Sequence, residues 1–322
     1  MANIREIAKL AGVSPSTVSR VLNNSGYVSW ETRKKVQAVM EKLDYVPNLN
    51  AVSLKKGATK LIGIAAPYLG DEINTFLGNF AQAAQEKGYN ITLFLTNADP
   101  KKERDALESL RRRQIDALAV VIRANDWDTI AQYSKYGPIV TWQRVIMKEI
   151  PSVFMDQYEG YMLGLEHLHA KGYRKISNVY GNPGHLNTIG RMEAFRDFCR
   201  KYCLNEHALP HFYHKGSIRD GEEMAHWWKN TADKPDAFMA PNDRFAAGLV
   251  SEAKRLGLNV PGDFAVCGFD NTDIARLLDI TTINYPIGGQ ARNAFSIIQN
   301  RLEGKTIPLT GLKFELIERK TT

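Results

Sequence analysis

Only three cysteines occur in the 322 residues, Cys199, Cys203 and Cys267. So small and odd a number excludes a disulfide framework, and the thiols read as buried and reduced. No apolar run approaches the roughly 18–20 residues of a membrane span. The opening stretch MANIREIAKLAG also lacks an apolar signal region, so the expectation is a soluble, cytoplasmic protein with no membrane partner. No phosphate-cradling G-x-x-x-x-G-K-[ST] loop is present, and the glycines of GNPGHLNTIG (181–190) do not fall at dinucleotide-binding spacing. His207, His211 and His214 lie in NEHALPHFYHK without a paired cysteine or His-Glu motif, which reads as a surface loop rather than a zinc site. No spacing supports a Ser-His-Asp or Cys-His arrangement. The reading therefore assigns no enzymatic activity, no cofactor and no metal.

What is present is an uneven charge. Residues 1–58 hold nine Lys and Arg against four Asp and Glu, whereas the remaining 264 residues hold 33 against 31. A basic head on a nearly neutral body points to a polyanionic partner for the head alone, although a solvated basic face would show the same balance.

The head has the punctuation of three short helices. Asn3 is placed to cap the first, with Glu6 three residues on, and Ile4, Ile7, Ala8 and Ala11 share a face. Gly12 suits a left-handed turn. Ser14 then caps a second helix with Pro15 in its first turn, where a missing N–H costs nothing. In AGVSPSTVSRVLN, Val18, Val21 and Leu22 recur at helical spacing and point inward, leaving Pro15, Ser16, Ser19 and Arg20 outward. A third helix begins near Ser29 and carries Val36, Val39, Met40 and Leu43 on one stripe. Two helices joined by a tight glycine turn, with a third in support, form a helix-turn-helix unit. A helix that enters a DNA major groove needs a slim, hydroxyl-bearing N-terminal end. Ser14, Thr17 and Ser19 suit phosphate contacts, and Arg20 can donate two parallel hydrogen bonds to a guanine edge or else touch phosphate alone. Pro15, Ser16 and Asn23 complete the expected DNA-facing set. Beyond it, Pro47 ends the third helix, and a short helix is expected from Asn48 to Lys56, stopped by Gly57.

The run NIREIAKLAGVSPSTVSRVLNNSGYVSWETRKKV, followed by LDYVPN, PDAFMAPNDRFAAGLVSEAKRLGLNVPGDFAVCGFDN and DITTINYP, resembles the lactose/galactose repressor family of bacterial transcription regulators. That resemblance implies a homodimer on a pseudo-palindromic double-stranded operator, nucleoid-associated when bound. It also implies a hinge helix whose Leu54 wedges into the minor groove and bends the duplex. Val52 stands where the family usually has arginine. Pro15 and Ser16 fall on the variable specificity positions.

From Thr59 onward, apolar strand patterns such as KLIGIAAPYL, ITLFLTNA, DALAVVIRA and DFAVCGFD alternate with helical ones. This pattern predicts parallel α/β layers in two series. The resemblance sharpens the fold class to an all-α helix-turn-helix head plus a periplasmic-binding-protein-like α/β core of two parallel-sheet subdomains. The expected boundaries are 1–46 for the head, 47–58 for the hinge and 59–322 for the core. Within the core, one lobe covers about 60–157 and 286–311, the other about 158–285 and 312–322. Ligands bind beyond the carboxyl ends of strands in such sheets. Those ends carry PYLGDE, WQR, FMD, APND and GFDN, with Trp142 or Phe269 as candidate aromatic platforms. The resemblance places effector contacts at Arg191, Asn242 and Asp270. Asp71 fits a sugar-type cleft, and Gln143 stands where many sugar-binding relatives have aspartate. Other roles compete: Asp243 and Asp270 as caps, Arg191 as a salt bridge between the lobes. The function expected is a repressor of carbohydrate-utilisation genes controlled by a sugar or sugar phosphate. Two alternatives are a catabolite-control-type regulator with a phosphocarrier protein as corepressor, and a sugar-binding receptor or enzyme on the same core.

Overall fold

The computed structural model describes residues 3–46, 57–208 and 210–322. The chain divides into two units, Met1–Thr59 and Lys60–Thr322. The expected hinge helix, with Val52 and Leu54, lies outside the described residues.

The first unit contains α1 (Ile4–Ala11), α2 (Pro15–Leu22) and α3 (Trp30–Lys42). Each start is set by a side-chain cap. Asn3 Oδ1 accepts from the N–H groups of Arg5 and Glu6, Ser14 Oγ from Thr17 and Ser29 Oγ from Thr32. Such caps satisfy donors that a helix leaves open at its N-terminus. Gly12 ends α1 at φ +67°, a conformation that costs glycine little and most residues more. Ile7, Ala8, Val18, Val21 and Val36 form the buried core, with Leu22, Val39, Met40 and Leu43 packed on it. The inward stripes expected from helical periodicity are therefore the ones that pack.

The second unit holds two sheets. The N-lobe strands are β1 (Leu61–Ala66), β2 (Asn90–Leu95), β3 (Ala117–Val120) and β4 (Ile139–Thr141), in spatial order β2-β1-β3-β4, all parallel. Their connecting helices are α4 (Asp71–Glu86), α5 (Pro100–Arg111) and α6 (Trp127–Ala131). The C-lobe strands are β5 (Ile176–Asn178), β6 (Ala237–Met239), β7 (Ala265–Phe269), β8 (Thr281–Asn284) and β9 (Glu315–Ile317), in spatial order β5-β6-β7-β8-β9. Only β9 runs antiparallel. Helices α7 (Tyr158–Ala170), α8 (Leu186–Tyr202), α9 (Ile218–Asn230), α10 (Asp243–Arg255) and α11 (Asp273–Leu277) belong to this lobe. The central strands are buried along nearly their whole length, the pattern of a parallel sheet covered on both faces.

The chain crosses between lobes three times: from β4 to α7, from β8 to α12 (Ile287–Glu303), which packs on α4, and from α12 back to β9. Tyr285 and Phe314 stack at 5.5 Å on the second and third crossings. Gln290 Nε2 donates to the Val153 carbonyl at 2.7 Å, tying the first crossing to the second. One apolar cluster includes Phe76, Phe80 and Phe295 of the N-lobe and Tyr161, Tyr180 and Phe269 of the C-lobe. Of the cysteines, Cys199 and Cys267 are buried, but Cys203 is exposed at the C-terminal end of α8. This corrects the expectation of three buried thiols: Cys203 is a left-handed cap residue, turned away from the stripe that Cys199 shares.

Candidate functional site

In the head, Ser14, Pro15, Ser16, Arg20 and Asn23 are exposed, and Thr17 and Ser19 are partly so. Some of these groups already have local work. Ser14 Oγ caps α2 and lies 2.9 Å from Thr17 Oγ1. Asn23 Nδ2 donates back to the Ser19 carbonyl at 2.7 Å. Arg20 differs: among the described residues its guanidinium has no hydrogen bond or ion pair. Its aliphatic stem runs past Gly26, which takes a φ of +68°. The result is a helix end with hydroxyls near the backbone and one long, unspent planar donor. Such a donor can meet a base edge. Sequence reasoning missed Tyr27 and Trp30, 91% and 72% exposed, with Lys34 Nζ 4.8 Å from the Trp30 ring centre. Aromatics beside lysines in a basic head were the available signal.

In the core, a cavity of about 260 Å³ is lined from one lobe by Tyr68, Asp71 and Glu72 and from the other by Asn242, Arg244 and Asp270, among others. It shares Asp71, Glu72, Arg244 and Asp270 with an adjoining space of about 910 Å³, so the two form one cleft at the carboxyl ends of β1, β6 and β7. The fold builds these positions locally. Asn242 caps α10, its Oδ1 accepting from Phe245 N at 2.9 Å, which leaves its amide N–H groups for a ligand. Asp270 and Asn271 follow β7 at φ +102° and +53°. Two successive non-glycine residues in that region are a strained turn of the kind concentrated at binding sites.

Asp243 does not take the competing role of a helix cap, which falls to Asn242. It is fully buried and accepts from Thr282 Oγ1 at 2.6 Å, Thr272 N at 2.7 Å and Thr272 Oγ1 at 3.0 Å. It thereby joins α10 to β8 and to the loop behind Asp270. Gly268 permits this, because a Cβ there would collide with the Asp243 carboxylate.

Asp71, Asn242 and Asp270 line the cleft, whereas Arg191 and Gln143 bond to neighbouring parts of the fold. Arg191 is 7% exposed; its Nε donates to Gln157 Oε1 at 2.8 Å, and one terminal nitrogen donates to the Pro241 carbonyl at 2.7 Å. Its guanidinium covers the face of Phe269 at 4.1 Å. Phe269 is fully buried, so it is no platform for a ligand. Trp142 stacks on Phe76 at 5.3 Å, and its buried Nε1 has no partner among the described residues. Gln143 Oε1 accepts from Arg123 N at 2.9 Å, a loop contact within the N-lobe. The ion pair between lobes joins Arg244 to Asp71 at 3.4 Å, both about half exposed. Such a pair is worth about 0–1 kcal/mol. Glu72 and Arg244 were missed although each adjoins a residue within a motif already singled out, PYLGDE and APND.

The cleft is electrostatically unbalanced. Burial pushes the Asp270 carboxyl well above the usual range, the charges of Glu72 and Asp243 push it the same way, and Arg191 opposes them. Glu72 is raised by burial and by Asp71, against Arg191 and Arg244. Burial also raises Asp243, against its hydrogen bonds from Thr282 and Thr272. Among the described residues, no group of His, Cys, Asp and Glu is disposed to hold a metal ion, and no helix is long and apolar enough to cross a membrane.

Comparison with known proteins agrees with this layout. Residues 3–48 match the model of bacterial regulatory proteins of the lacI family, and residues 165–322 match a periplasmic binding protein-like domain. The chain is 35% identical to an uncharacterized HTH-type transcriptional regulator, YkvZ, of Bacillus subtilis (strain 168), over all of both chains. It is 32% identical to the sucrose operon repressor of Pediococcus pentosaceus, over 93% of this chain and 92% of that one. A crystal structure of the lac repressor dimer bound to operator and the anti-inducer ONPF superposes with a TM-score of 0.86 at 24% identity, covering 99% of this chain and 98% of that chain. This last likeness speaks for the fold.

Proposed function

The chain belongs to the lacI family of bacterial regulatory proteins, and from that premise we propose a dimeric cytoplasmic repressor of carbohydrate-utilisation genes, set by a small hydroxyl-rich effector in the cleft. The family makes it a DNA-binding transcription regulator. The observation that carries the finer reading is the convergence of Asp71, Asn242, Arg244 and Asp270 from both lobes on one polar cavity. A ligand held by groups of two lobes prefers one lobe geometry over another. It changes DNA affinity only by that difference, tenfold for about 1.4 kcal/mol. Arg20 and the hydroxyls of α2 read the operator, Leu54 wedges the minor groove, and dimerisation pairs two heads on an inverted repeat.

The test is selection of duplexes from a random pool by the full chain, followed by titration of the selected duplex with neutral sugars, amino sugars and sugar phosphates. An inverted repeat whose binding shifts at least tenfold with one of them is the expected result. No preference for any inverted repeat over scrambled duplex overturns operator reading. Preference without response to any metabolite overturns effector control. Adding a phosphocarrier protein to the same assay tests the alternative corepressor.

A further inference from the structure

The charge of the cleft names its ligand more narrowly. Asp71, Glu72, Asp243 and Asp270 all line the cavity, with Arg244 as the cation among its walls. Arg244 is engaged by Asp71, and Arg191 gives two of its N–H donors to Gln157 and Pro241 and acts on Asp270 by charge. Asp243 is satisfied by its two threonines. In the adjoining space Arg292 donates to Asn79 Oδ1 at 2.6 Å. Helix starts near the cavity supply partial positive charge, but α4 and α10 each already carry acids in their first turn, Asp71 with Glu72 and Asp243, which answer it. Asp270 remains. It follows a strand, not a helix, and among the described residues its carboxylate accepts no hydrogen bond and makes no ion pair.

We propose that the effector carries a protonated amine, as an amino sugar does, and that the ammonium seats against Asp270 and Glu72 while the ring hydroxyls meet Asn242 and Tyr68. This rests on the cleft being the effector site and narrows the class of ligand it takes. An ammonium offers three donors, and a partly buried carboxylate that accepts no other hydrogen bond, as that of Asp270, gains from a charged, hydrogen-bonded partner. A phosphate in the same place faces uncompensated carboxylates, so the phosphorylated alternative is disfavoured. Because Glu72 and Asp270 hold protons more tightly than ordinary carboxyls, a bound cation draws those pKa values down and expels protons. Asp71 and Asp243 push the pair upward and Arg191 and Arg244 push it down, Tyr285 lies beside Asp270, and burial is the largest cause of the rise in both.

The experiment is calorimetric titration of the full chain with D-glucose, D-glucosamine and D-glucose 6-phosphate, together with a diaminohexose, near pH 6 in buffers of different ionisation enthalpy. The expected result is at least tenfold tighter binding of an amine than of its neutral or phosphorylated counterpart, with proton release. The advantage of the amine should fall about tenfold in Asp270→Asn and in Glu72→Gln, two variants that guard against one failing to fold. A neutral sugar or a sugar phosphate binding as tightly as its amine overturns the inference and leaves the cleft reading intact. Amine preference that survives in both folded variants also overturns it. If no member of the panel binds and none shifts operator affinity, the inference falls. The cleft reading falls as well only if pooled cell metabolites also leave operator binding unchanged.

Discussion

Head and cleft present their polar groups in opposite ways. In the head the residues of α2 and its caps proposed to face DNA lie on one eight-residue helix, and their one planar donor, Arg20, is exposed and unspent. In the cleft the polar groups come from chain segments between Tyr68 and Thr272, and some bond one another, Asp243 with Thr272 and Arg244 with Asp71. A surface reader can change residues without disturbing its scaffold. A buried clamp cannot, because its binding groups are also its structure. Substitutions of bonded cleft residues such as Asp243 should therefore cost stability and function together, whereas those in the head should separate them.

Arg191 gives the largest expected effect. Arg191→Ala strands the Gln157 and Pro241 oxygens and exposes Phe269. Each buried acceptor left open costs about 1–3 kcal/mol, so a loss of about 3–5 kcal/mol is expected once the packing is added. Calorimetry should show the core melting lower and the head transition unmoved. A loss below about 1 kcal/mol would mean that water replaces the guanidinium and that the clamp is not structural.

Arg20 is the counterpart in the head. Arg20→Ala should reduce specific operator affinity by about 1–3 kcal/mol, a loss of roughly 5- to 150-fold, with little change in melting. Arg20→Lys keeps the charge but not the planar fork, so it should restore non-specific binding and not discrimination. Equal losses on specific and random duplexes for the alanine variant would reduce Arg20 to a phosphate contact.

The same contrast explains what was legible in the sequence. Caps and helical periodicity are local, so Asn3, Gly12, Ser14 and the stripe Val18, Val21, Leu22 were readable and pack as expected. The carboxyl ends of strands were readable too, because apolar runs end at PYLGDE, APND and GFDN. What those ends do was not. Asp243 reads as a cap from its place before a helix, but its partner Thr282 lies 39 residues away and reaches it only through the pairing of β7 with β8. Arg191 reads as a ligand contact, yet the carbonyl it binds, Pro241, is 50 residues distant. Local chemistry proposes a role, and the sheet order decides which partner arrives first.

A smaller effect sharpens the head alone. Ser14→Ala removes the cap on α2 and should lower the stability of the head by about 1 kcal/mol. Ser16→Ala removes an exposed hydroxyl with no capping role and should leave stability unchanged. Equal melting of the two variants would show that the Ser14 bond to Thr17 N contributes nothing measurable.

The smallest expected effect depends on pH and belongs to the cleft. Asp270 ionises near pH 3.9 when unfolded and well above that in the fold. Between those values the folded chain holds a proton that the unfolded chain has lost, so stability falls as pH rises through the window and levels off above it. Glu72 and Asp243, also raised, add the same sign. Glu303, held down to about 2 chiefly by Lys305, contributes the opposite sign, but its stability is lost only as pH falls toward 2. His167, His169 and His211, each lowered chiefly by burial, contribute stability that is lost as pH falls, so from pH 5 to 8 the contribution of Asp270 is read as the difference between parent and variant. Asp270→Asn removes one of the raised carboxyls while keeping its shape, so the variant should gain on the parent as pH rises through the window and melt higher than the parent at pH 8. Parallel melting curves across that range would show that Asp270 ionises without penalty. The cleft would then tolerate bare charge as readily as the head does, and the contrast between buried clamp and surface reader would not extend to its electrostatics.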